Sequence, residues 1–284
     1  MKLVDLHVHT TASDGTLSPA QVVEYASNKG LAAIAVCDHD TILAHGEALA
    51  AGKQYNVEVI PGIEISTKYT VSVHILGYFI DSDNAKLNAA LDWIVKDRDE
   101  RNEKMCAIMR SDGIAVDYAE MKARFGDIVG RPHFARILVE QGYAVSIADA
   151  FQRLVNKGCR YYVGRSFLTI DESIDLITGA GGTAVLAHPF TYKLDDEPLR
   201  KLIEHCIDRG LFGMECRYTG YGDAQVRYLE ALADEYGLIK TGGSDFHGAN
   251  KPLNDMGTGS GELCVPYEFL EGLKNANARY RKTL

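Results

Sequence analysis

A chain of 284 residues with 46% hydrophobic and 24% charged residues has enough apolar material for a well-buried core, and the composition excludes a disordered or low-complexity protein. Its formal net charge of −9 excludes a broad electrostatic footprint for nucleic acid, so an anionic substrate must be attracted locally, by bound cations. No apolar run approaches the ~20 residues needed to span a bilayer, the opening residues show no signal-peptide pattern and the expected location is the cytoplasm, while six scattered cysteines with no Cys-x-x-Cys pair read as small buried hydrophobes.

In chain order, the first strand candidate covers 4–10 and places His7 and His9 on one face, because side chains alternate at period two along a strand. Asp14 follows at once. Ser18 then offers an N-cap, Pro19 a first helical position and Gln21 the amide of a capping box, and Gly30 closes that helix. A second apolar run, 31–37, ends in Asp38-His39-Asp40, and a helix is expected over 42–55. Strands follow over 57–65, carrying Glu64, and over 71–80, carrying His74. Strand and helix alternating at this spacing predict βα units and a mostly parallel sheet.

From 83 to 165 the alternation stops. A long charged helical run over 84–110 and shorter helices over 116–125, 132–140 and 146–156, separated by Gly113, Gly126-Asp127, Gly142 and Gly158, predict a helical insertion. Residues 1–82 and 166–284 are then the two parts of the main domain, and 83–165 a small capping domain. The βα pattern resumes with a capping box at Thr169 and Glu172 and a strand over 183–187 that ends in His188-Pro189. A helix over 198–209 and a strand over 211–216, ending in Arg217-Tyr218, come next. A helix over 223–236 and a strand over 238–241 lead into Gly242-Gly243-Ser244-Asp245-Phe246-His247, and a terminal helix is expected over 266–275. Seven candidate parallel strands, near Val4, Ala35, Val59, Val73, Val185, Met214 and Ile239, suffice to close an irregular TIM-like (β/α)7 barrel of the α/β class.

The polar residues then fall into a pattern. His7, His9, Asp14, His39, Glu64, His74, His188, Asp245 and His247 all sit in, or just beyond, the C-terminal halves of apolar strand runs, the rim where such barrels place their chemistry. Six of the nine histidines belong to this set. So many nitrogen and oxygen ligands exceed one tetrahedral zinc and suit two or three divalent ions sharing a bridging carboxylate.

These stretches resemble the polymerase-and-histidinol-phosphatase (PHP) family of metal-dependent phosphoesterases, whose motifs run from a first-strand His-x-His to a late Asp-x-His. Here they read Asp5-Leu6-His7-Val8-His9 with Ser13-Asp14-Gly15, then Cys37-Asp38-His39-Asp40, then Pro61-Gly62-Ile63-Glu64-Ile65 with His74, then Ala187-His188-Pro189, and lastly Gly243-Ser244-Asp245-Phe246-His247. The resemblance implies a trinuclear centre in which His7, His9, Glu64 and Asp245 hold one ion. Glu64, as the bridge, with His74 and His188 holds a second, and Asp14, His39 and His247 a third. It favours Mn²⁺, while the N/O donor set also accommodates Fe²⁺, Zn²⁺, Co²⁺ or Mg²⁺. The insertion resembles that of a subgroup acting on nucleoside 3′,5′-bisphosphates or on the 5′ ends of short RNAs. The expected reaction is therefore hydrolysis of the 3′-phosphate of a nucleoside 3′,5′-bisphosphate, such as adenosine 3′,5′-bisphosphate to AMP and phosphate. Closely spaced divalent ions turn a bridging water into hydroxide and polarise phosphoryl oxygens, so attack by metal-bound hydroxide is expected, without a phosphoenzyme and with Asp245 and His247 in the catalytic centre.

Outside the ligand set, Gly130-Arg131-Pro132-His133 can bring a helix N-terminus, a guanidinium fork and an imidazole to one anion, although Arg131 equally suits a pair with a surface carboxylate. Lys157 and Arg160, beside Tyr161 and Tyr162, offer cations and rings for a second phosphate and a base, against a solvated loop as the plainer alternative. Ser244 reaches a phosphate oxygen or shapes its turn, and His133 is the candidate acid for the leaving group. Asp38 and Asp40 either orient metal-bound imidazoles or make turns. Glu215 and Arg217 end a strand with no role set by spacing. Three alternatives compete: a urease-type amidohydrolase, which needs a modified lysine on the fourth strand where this chain offers His74; a histidinol-phosphate phosphatase or 5′-3′ exoribonuclease of the same family; and a non-catalytic metal-binding module, against which stands the full ligand set. The expected partner is a small nucleotide or a short RNA end, with no membrane and no obligate protein partner.

Overall fold

The structure, a computed structural model, describes residues 2–126 and 128–281. In chain order its elements are β1 (Val4–Val8), α1 (Pro19–Asn28), β2 (Ala33–Val36), α2 (His45–Tyr55), β3 (Glu58–Lys68), β4 (Ser72–Tyr78), α3 (Ala85–Ser111), α4 (Tyr118–Phe125), α5 (Arg131–Glu140), α6 (Ile147–Ala150), β5 (Leu168–Thr169), α7 (Ile170–Gly179), β6 (Thr183–Leu186), α8 (Asp196–Asp208), β7 (Gly213–Tyr218), α9 (Asp223–Tyr236), β8 (Ile239–Gly243) and α10 (Tyr267–Arg281). The capping boxes form where the sequence placed them. Ser18 Oγ accepts from the Gln21 N–H while Gln21 accepts from the Ser18 N–H, and Thr169 and Glu172 do the same for α7. Asp127, half of the expected Gly126-Asp127 break, lies outside the described residues.

The strands run β1-β2-β3-β4-β6-β7-β8, with the short β5 beside β3. β8 returns towards β1, where the His9 N–H donates to the Phe246 carbonyl and Val8 bridges Phe246, so the seven strands nearly close an irregular TIM-like barrel. One strand departs from the all-parallel expectation: β4 is antiparallel to both β3 and β6. Only Tyr69, Thr70 and Val71 separate β3 from β4, far short of the dozen or so residues that a parallel crossover requires, so a hairpin forms instead. The reversal places His74, near the start of β4, at the same rim as the strand ends that carry the other candidate ligands. Inside the barrel Leu6, Leu76, Tyr78 and Val185 pack together, and the buried Tyr78 hydroxyl donates to the Leu6 carbonyl.

Between β4 and β5 the chain forms helices around a separate apolar cluster that includes Met105, Met109, Phe134, Leu138 and Val155. α3 belongs to both bodies. Its first half buries Leu87, Leu91 and Ile94 against the barrel, and its second half buries Met105, Cys106 and Met109 in the insertion. The run expected to be helical over 146–156 is α6 followed by a single π-helical turn, Phe151–Val155, a local device often found beside functional sites. Among the described residues no helix is long and apolar enough to cross a membrane.

The rim is built tightly. A Cβ on Gly243 would fall 2.4 Å from His7 Cβ and 2.5 Å from His7 N. Gly243→Ala is therefore expected to push β1 away from β8, costing about 1–3 kcal/mol of stability as overpacked interiors do. Thermal melting checks this, and an unchanged melting temperature would contradict it.

Candidate metal centre

The barrel brings every residue of the proposed ligand set to one end. β1 presents His7 and directs His9 to the same side, and the loop after it carries Asp14. β2 leads into His39, β3 contains Glu64 and β4 contains His74, while the segments after β6 and β8 supply His188, Asp245 and His247. Asp40, His188 and Asp245 hold φ values of +55°, +26° and +52°. Non-glycine residues seldom adopt this region, and such strain collects at functional sites.

Glu64 is at the centre and fully buried. Its Oε1 lies 2.7 Å from His74 Nδ1 and 2.8 Å from His188 Nε2. Its Oε2 is 3.0 Å from His39 Nδ1 and 3.4 Å from both His7 Nε2 and His9 Nε2. Asp245 Oδ1 is 3.2 Å from His9 Nε2, and Asp14 Oδ1 is 3.1 Å from His247 Nε2. The donor atoms fall into three groups: His7, His9, Glu64 and Asp245; His9, Asp14, His39 and His247; and His39, Glu64 and His74. The first group coincides with the set that the family resemblance implies for one ion. The other two share His9 and His39 with their neighbours more than that division allows, and His188 reaches the same Glu64 oxygen as His74.

These residues fit a cluster of divalent cations. His7 Nε2, both ring nitrogens of His9, His39 Nδ1, Glu64 Oε2 and His247 Nε2 are buried with no hydrogen-bond partner. Each orphaned polar atom of this kind costs about 1–3 kcal/mol in a protein interior, unless something else satisfies it. Imidazole and carboxylate lone pairs converging on one volume are a donor set for first-row divalent ions. Charge follows the same logic. Burial alone would raise the Glu64 carboxyl, but His39, His74 and His7 outweigh it and hold it well below the usual range. Burial, with His247 and His39 facing it, pushes the His9 imidazole well down, so that it is neutral and has a lone pair to give.

Carboxylates to which the sequence assigned no firm role support this cluster from behind. Glu215 is fully buried, lies 3.1 Å from His7 Nδ1 and accepts the His188 N–H at 2.8 Å. By holding a proton on Nδ1 of His7 it leaves Nε2 free to face Glu64 and Asp245. Asp38 accepts from Thr10 and Ser13, and Asp5 accepts from the Ser244 N–H and hydroxyl and from the Gly257 N–H. Ser244 thus fixes its own turn and does not reach into the cavity. Glu215→Gln is expected to weaken divalent-ion affinity about 10–100-fold while the fold is retained. Metal titration with circular dichroism tests this, and wild-type affinity in the variant would remove Glu215 from the account.

Beside the ligand cluster opens a cavity of about 200 Å³, lined on the barrel side by Asp14, His39 and His74 and on the insertion side by Arg98, Arg101, Arg131 and Arg165. Asp40 accepts from Arg98 and, at 2.9 Å, from Arg165. It is the only carboxylate these four guanidiniums contact among the described residues. Arg101 is 5% exposed and its Nε has no partner. Burial and the neighbouring Arg98, Arg165 and Arg131 push its guanidinium down to about 9, so it remains charged at neutral pH. Several desolvated cations around one carboxylate form a strong anion site, and the guanidinium fork matches phosphate geometry. Phe151, Tyr162 and Phe167 add apolar walls, and Arg165 lies 4.1 Å from the Phe167 ring centroid.

Other candidates stand elsewhere. Lys157 is exposed outside this cavity, and Arg160 is drawn into a pair with Asp112 at 2.9 and 3.0 Å on the outer face of the insertion. His133 is buried, accepts the Gly130 N–H on Nδ1 at 2.9 Å and stacks on Phe125. Burial pushes its imidazole down to about 4, so at neutral pH it carries no charge and is poorly matched to the role of leaving-group acid. Arg98 and Arg101 are the residues that sequence reasoning missed. Their signal was a three-residue spacing on one face of the long charged helix.

A PHP-domain sequence model matches residues 5–163 of the chain. The 5′-3′ exoribonuclease of Haemophilus influenzae is 37% identical over 247 residues, covering 87% of this chain and 90% of the relative. The 3′,5′-nucleoside bisphosphate phosphatase of Chromobacterium violaceum is 32% identical over 260 residues, covering 90% and 91%. Among solved structures, a protein from Bifidobacterium adolescentis assigned as a metal-dependent phosphoesterase superimposes with a TM-score of 0.84 at 30% identity, over 96% of this chain and 95% of that one. An amidohydrolase from Chromobacterium violaceum, solved with bound sulfate and no metal, gives 0.82 at 30% identity, over 95% and 96%.

Proposed function

The chain belongs to the PHP family, and on that premise we propose that it removes the 3′-phosphate of nucleoside 3′,5′-bisphosphates, holding the 5′-phosphate in the arginine cavity. The observation that carries this reading is the adjacency of two unlike sites: a cluster of orphaned imidazole and carboxylate atoms, and a cavity lined by four arginines, of which Arg98 and Arg165 hold the carboxylate of Asp40. The relative named as a 3′,5′-nucleoside bisphosphate phosphatase supports it.

In this reading His7, His9, Asp14, His39, Glu64, His74, His188, Asp245 and His247 hold up to three divalent ions, with Mn²⁺ the favoured metal and Glu64 shared between ions. Bound there, such ions supply a nucleophile from water at neutral pH and polarise the phosphoryl oxygens. The side chains do the rest. Asp40 fixes Arg98 and Arg165 in one arrangement, so that little conformational entropy is lost when a phosphate arrives. Arg131 contacts no carboxylate among the described residues and is free to pair with that phosphate, while Phe151, Tyr162 and Phe167 flank the nucleoside and keep water out. Residues 83–165 act as the cap that delivers these groups. A urease-type amidohydrolase does not suit these residues, because β4 contains no lysine and His74 stands against Glu64 in that place.

The test is a comparison of adenosine 3′,5′-bisphosphate with 3′-AMP, which lacks only the 5′-phosphate. Two charge-assisted contacts are worth roughly a hundredfold, so kcat/KM should favour the bisphosphate by about 10². Equal values for the two substrates would sink the reading.

A further inference from the structure

The two oxygens of Asp245 face different neighbours. Oδ1 points into the imidazole cluster, 3.2 Å from His9 Nε2, 3.4 Å from His247 Nδ1 and 3.7 Å from His7 Nε2. Oδ2 points away from it and accepts from the Tyr218 hydroxyl at 2.7 Å and from the Lys251 ammonium at 2.5 Å. Neither Tyr218 nor Lys251 is a candidate ligand, and neither lines the arginine cavity, so the proposed 5′-phosphate site does not account for them.

Both donors are held in place by the chain around them. Tyr218 ends β7 and pairs with Gly243 of β8, two residues before Asp245. Its ring stands edge-on to His188, with centroids 5.3 Å apart, and lies 5.2 Å from the ring of Tyr221, whose hydroxyl accepts the Phe190 N–H. One tyrosine thus touches a candidate ligand with its ring and a second with its hydroxyl. Lys251 follows a single 3₁₀ turn, Gly248–Asn250, and its N–H donates to the Gly248 carbonyl at 3.2 Å. That turn is anchored to the loop after β1, where Asn250 donates to the Asp14 carbonyl at 2.7 Å and the Ala249 N–H to Thr16 Oγ1 at 2.9 Å. The Asp245 side chain is 5% exposed and that of Lys251 40%, so the lysine approaches a buried carboxylate from the solvent side. Asp245 is the only carboxylate that Lys251 contacts among the described residues. An exposed ion pair would carry little weight, but here the acceptor is buried and the bond is charge-assisted.

We propose that Tyr218 and Lys251 are positioning residues of the metal centre. Together they occupy Oδ2 of Asp245, so that this carboxylate offers a divalent ion one oxygen, Oδ1, in a fixed direction. The inference rests on the His and carboxylate set holding divalent ions, as proposed above, and is independent of which phosphate ester is cleaved. A carboxylate limited to one donor oxygen leaves a coordination position free, which catalytic metal sites keep for water or substrate. Without the two outer donors the carboxylate turns about its Cβ–Cγ bond, and Oδ1 loses its aim. Donors behind a ligand commonly tune affinity or activity in this way.

The test is a titration of chelator-stripped protein with Co²⁺, followed by visible absorption, for the wild type, Tyr218→Phe, Lys251→Met and the double variant. Phenylalanine keeps the ring packing and methionine most of the lysine stem, and circular dichroism verifies the fold. Co²⁺ affinity should fall about tenfold in each single variant and up to about a hundredfold in the double. At saturating Co²⁺ the absorption spectrum of the double variant should differ from that of the wild type, because the ligand geometry has changed. Lys251→Arg, which keeps a charged donor, should recover part of the affinity. With adenosine 3′,5′-bisphosphate at saturating Co²⁺, kcat should fall about tenfold in the double variant while KM stays within twofold. A saturated double variant with the wild-type spectrum would overturn the proposal, whatever its affinity, since Lys251 and Tyr218 would then act only on the empty centre or on stability. Wild-type affinity in all variants would overturn it equally and leave the ligand set standing, whereas a wild type that takes up no Co²⁺ would overturn the ligand set as well.

Discussion

Glu64→Gln is expected to abolish phosphate release, by at least about 10³-fold in kcat, which corresponds to roughly 4 kcal/mol of lost transition-state stabilisation. The reason is its position. Its two oxygens lie between 2.7 and 3.4 Å from nitrogens of His7, His9, His39, His74 and His188, and among the described residues no other side chain reaches all five. Glutamine keeps the volume but removes the negative charge and turns one oxygen into an N–H donor aimed at imidazole lone pairs. Bound metal, measured by elemental analysis after dialysis, should fall in parallel with activity, while circular dichroism should report an intact barrel. Wild-type metal content and turnover in this variant would remove the bridging role.

The second large effect is expected at Arg165. Its guanidinium is almost fully buried, donates to Asp40 and lines the cavity beside the candidate ligands. Arg165→Ala should lower kcat/KM for adenosine 3′,5′-bisphosphate about 10²-fold, mainly through KM, and change kcat/KM for 3′-AMP by less than about threefold. Comparing the two substrates forms a cycle between one arginine and one phosphate, which separates recognition from general damage to the site. Arg98 continues to hold Asp40 in this variant, so the wall of the cavity is retained. Equal losses on both substrates would mean that Arg165 shapes the protein without meeting the 5′-phosphate.

Much of the centre was legible because strand periodicity and strand ends carry the information. The two-residue spacing of His7 and His9 fixes their common face, and the apolar runs before His39, His188 and Asp245 point those residues to one rim. The direction of β4 was not legible from periodicity, since a period of two reads the same both ways. The shortness of the 69–71 link was the available clue. Arg98 and Arg101 lie on a long charged helix that reads as a solvated face, and only the docking of the insertion over the barrel buries them. Glu215 did give a sign, as an acidic residue amid the apolar 211–216 run, but its partners His7 and His188 are distant in sequence. Lys157 and Arg160 misled because cations beside tyrosines suggest base stacking, whereas Asp112 at the end of α3 captures Arg160. His133 has a local explanation in its own helix start, where it accepts the Gly130 N–H.

The most direct measurement is the identity of the nucleotide product. Protein stripped with chelator and reloaded with Mn²⁺ should convert adenosine 3′,5′-bisphosphate to 5′-AMP and phosphate, and the stripped protein should convert none. Formation of 3′-AMP, or undiminished turnover after the metal is removed, would contradict the placement of the 5′-phosphate among the arginines and of the 3′-phosphate at the His and Glu cluster.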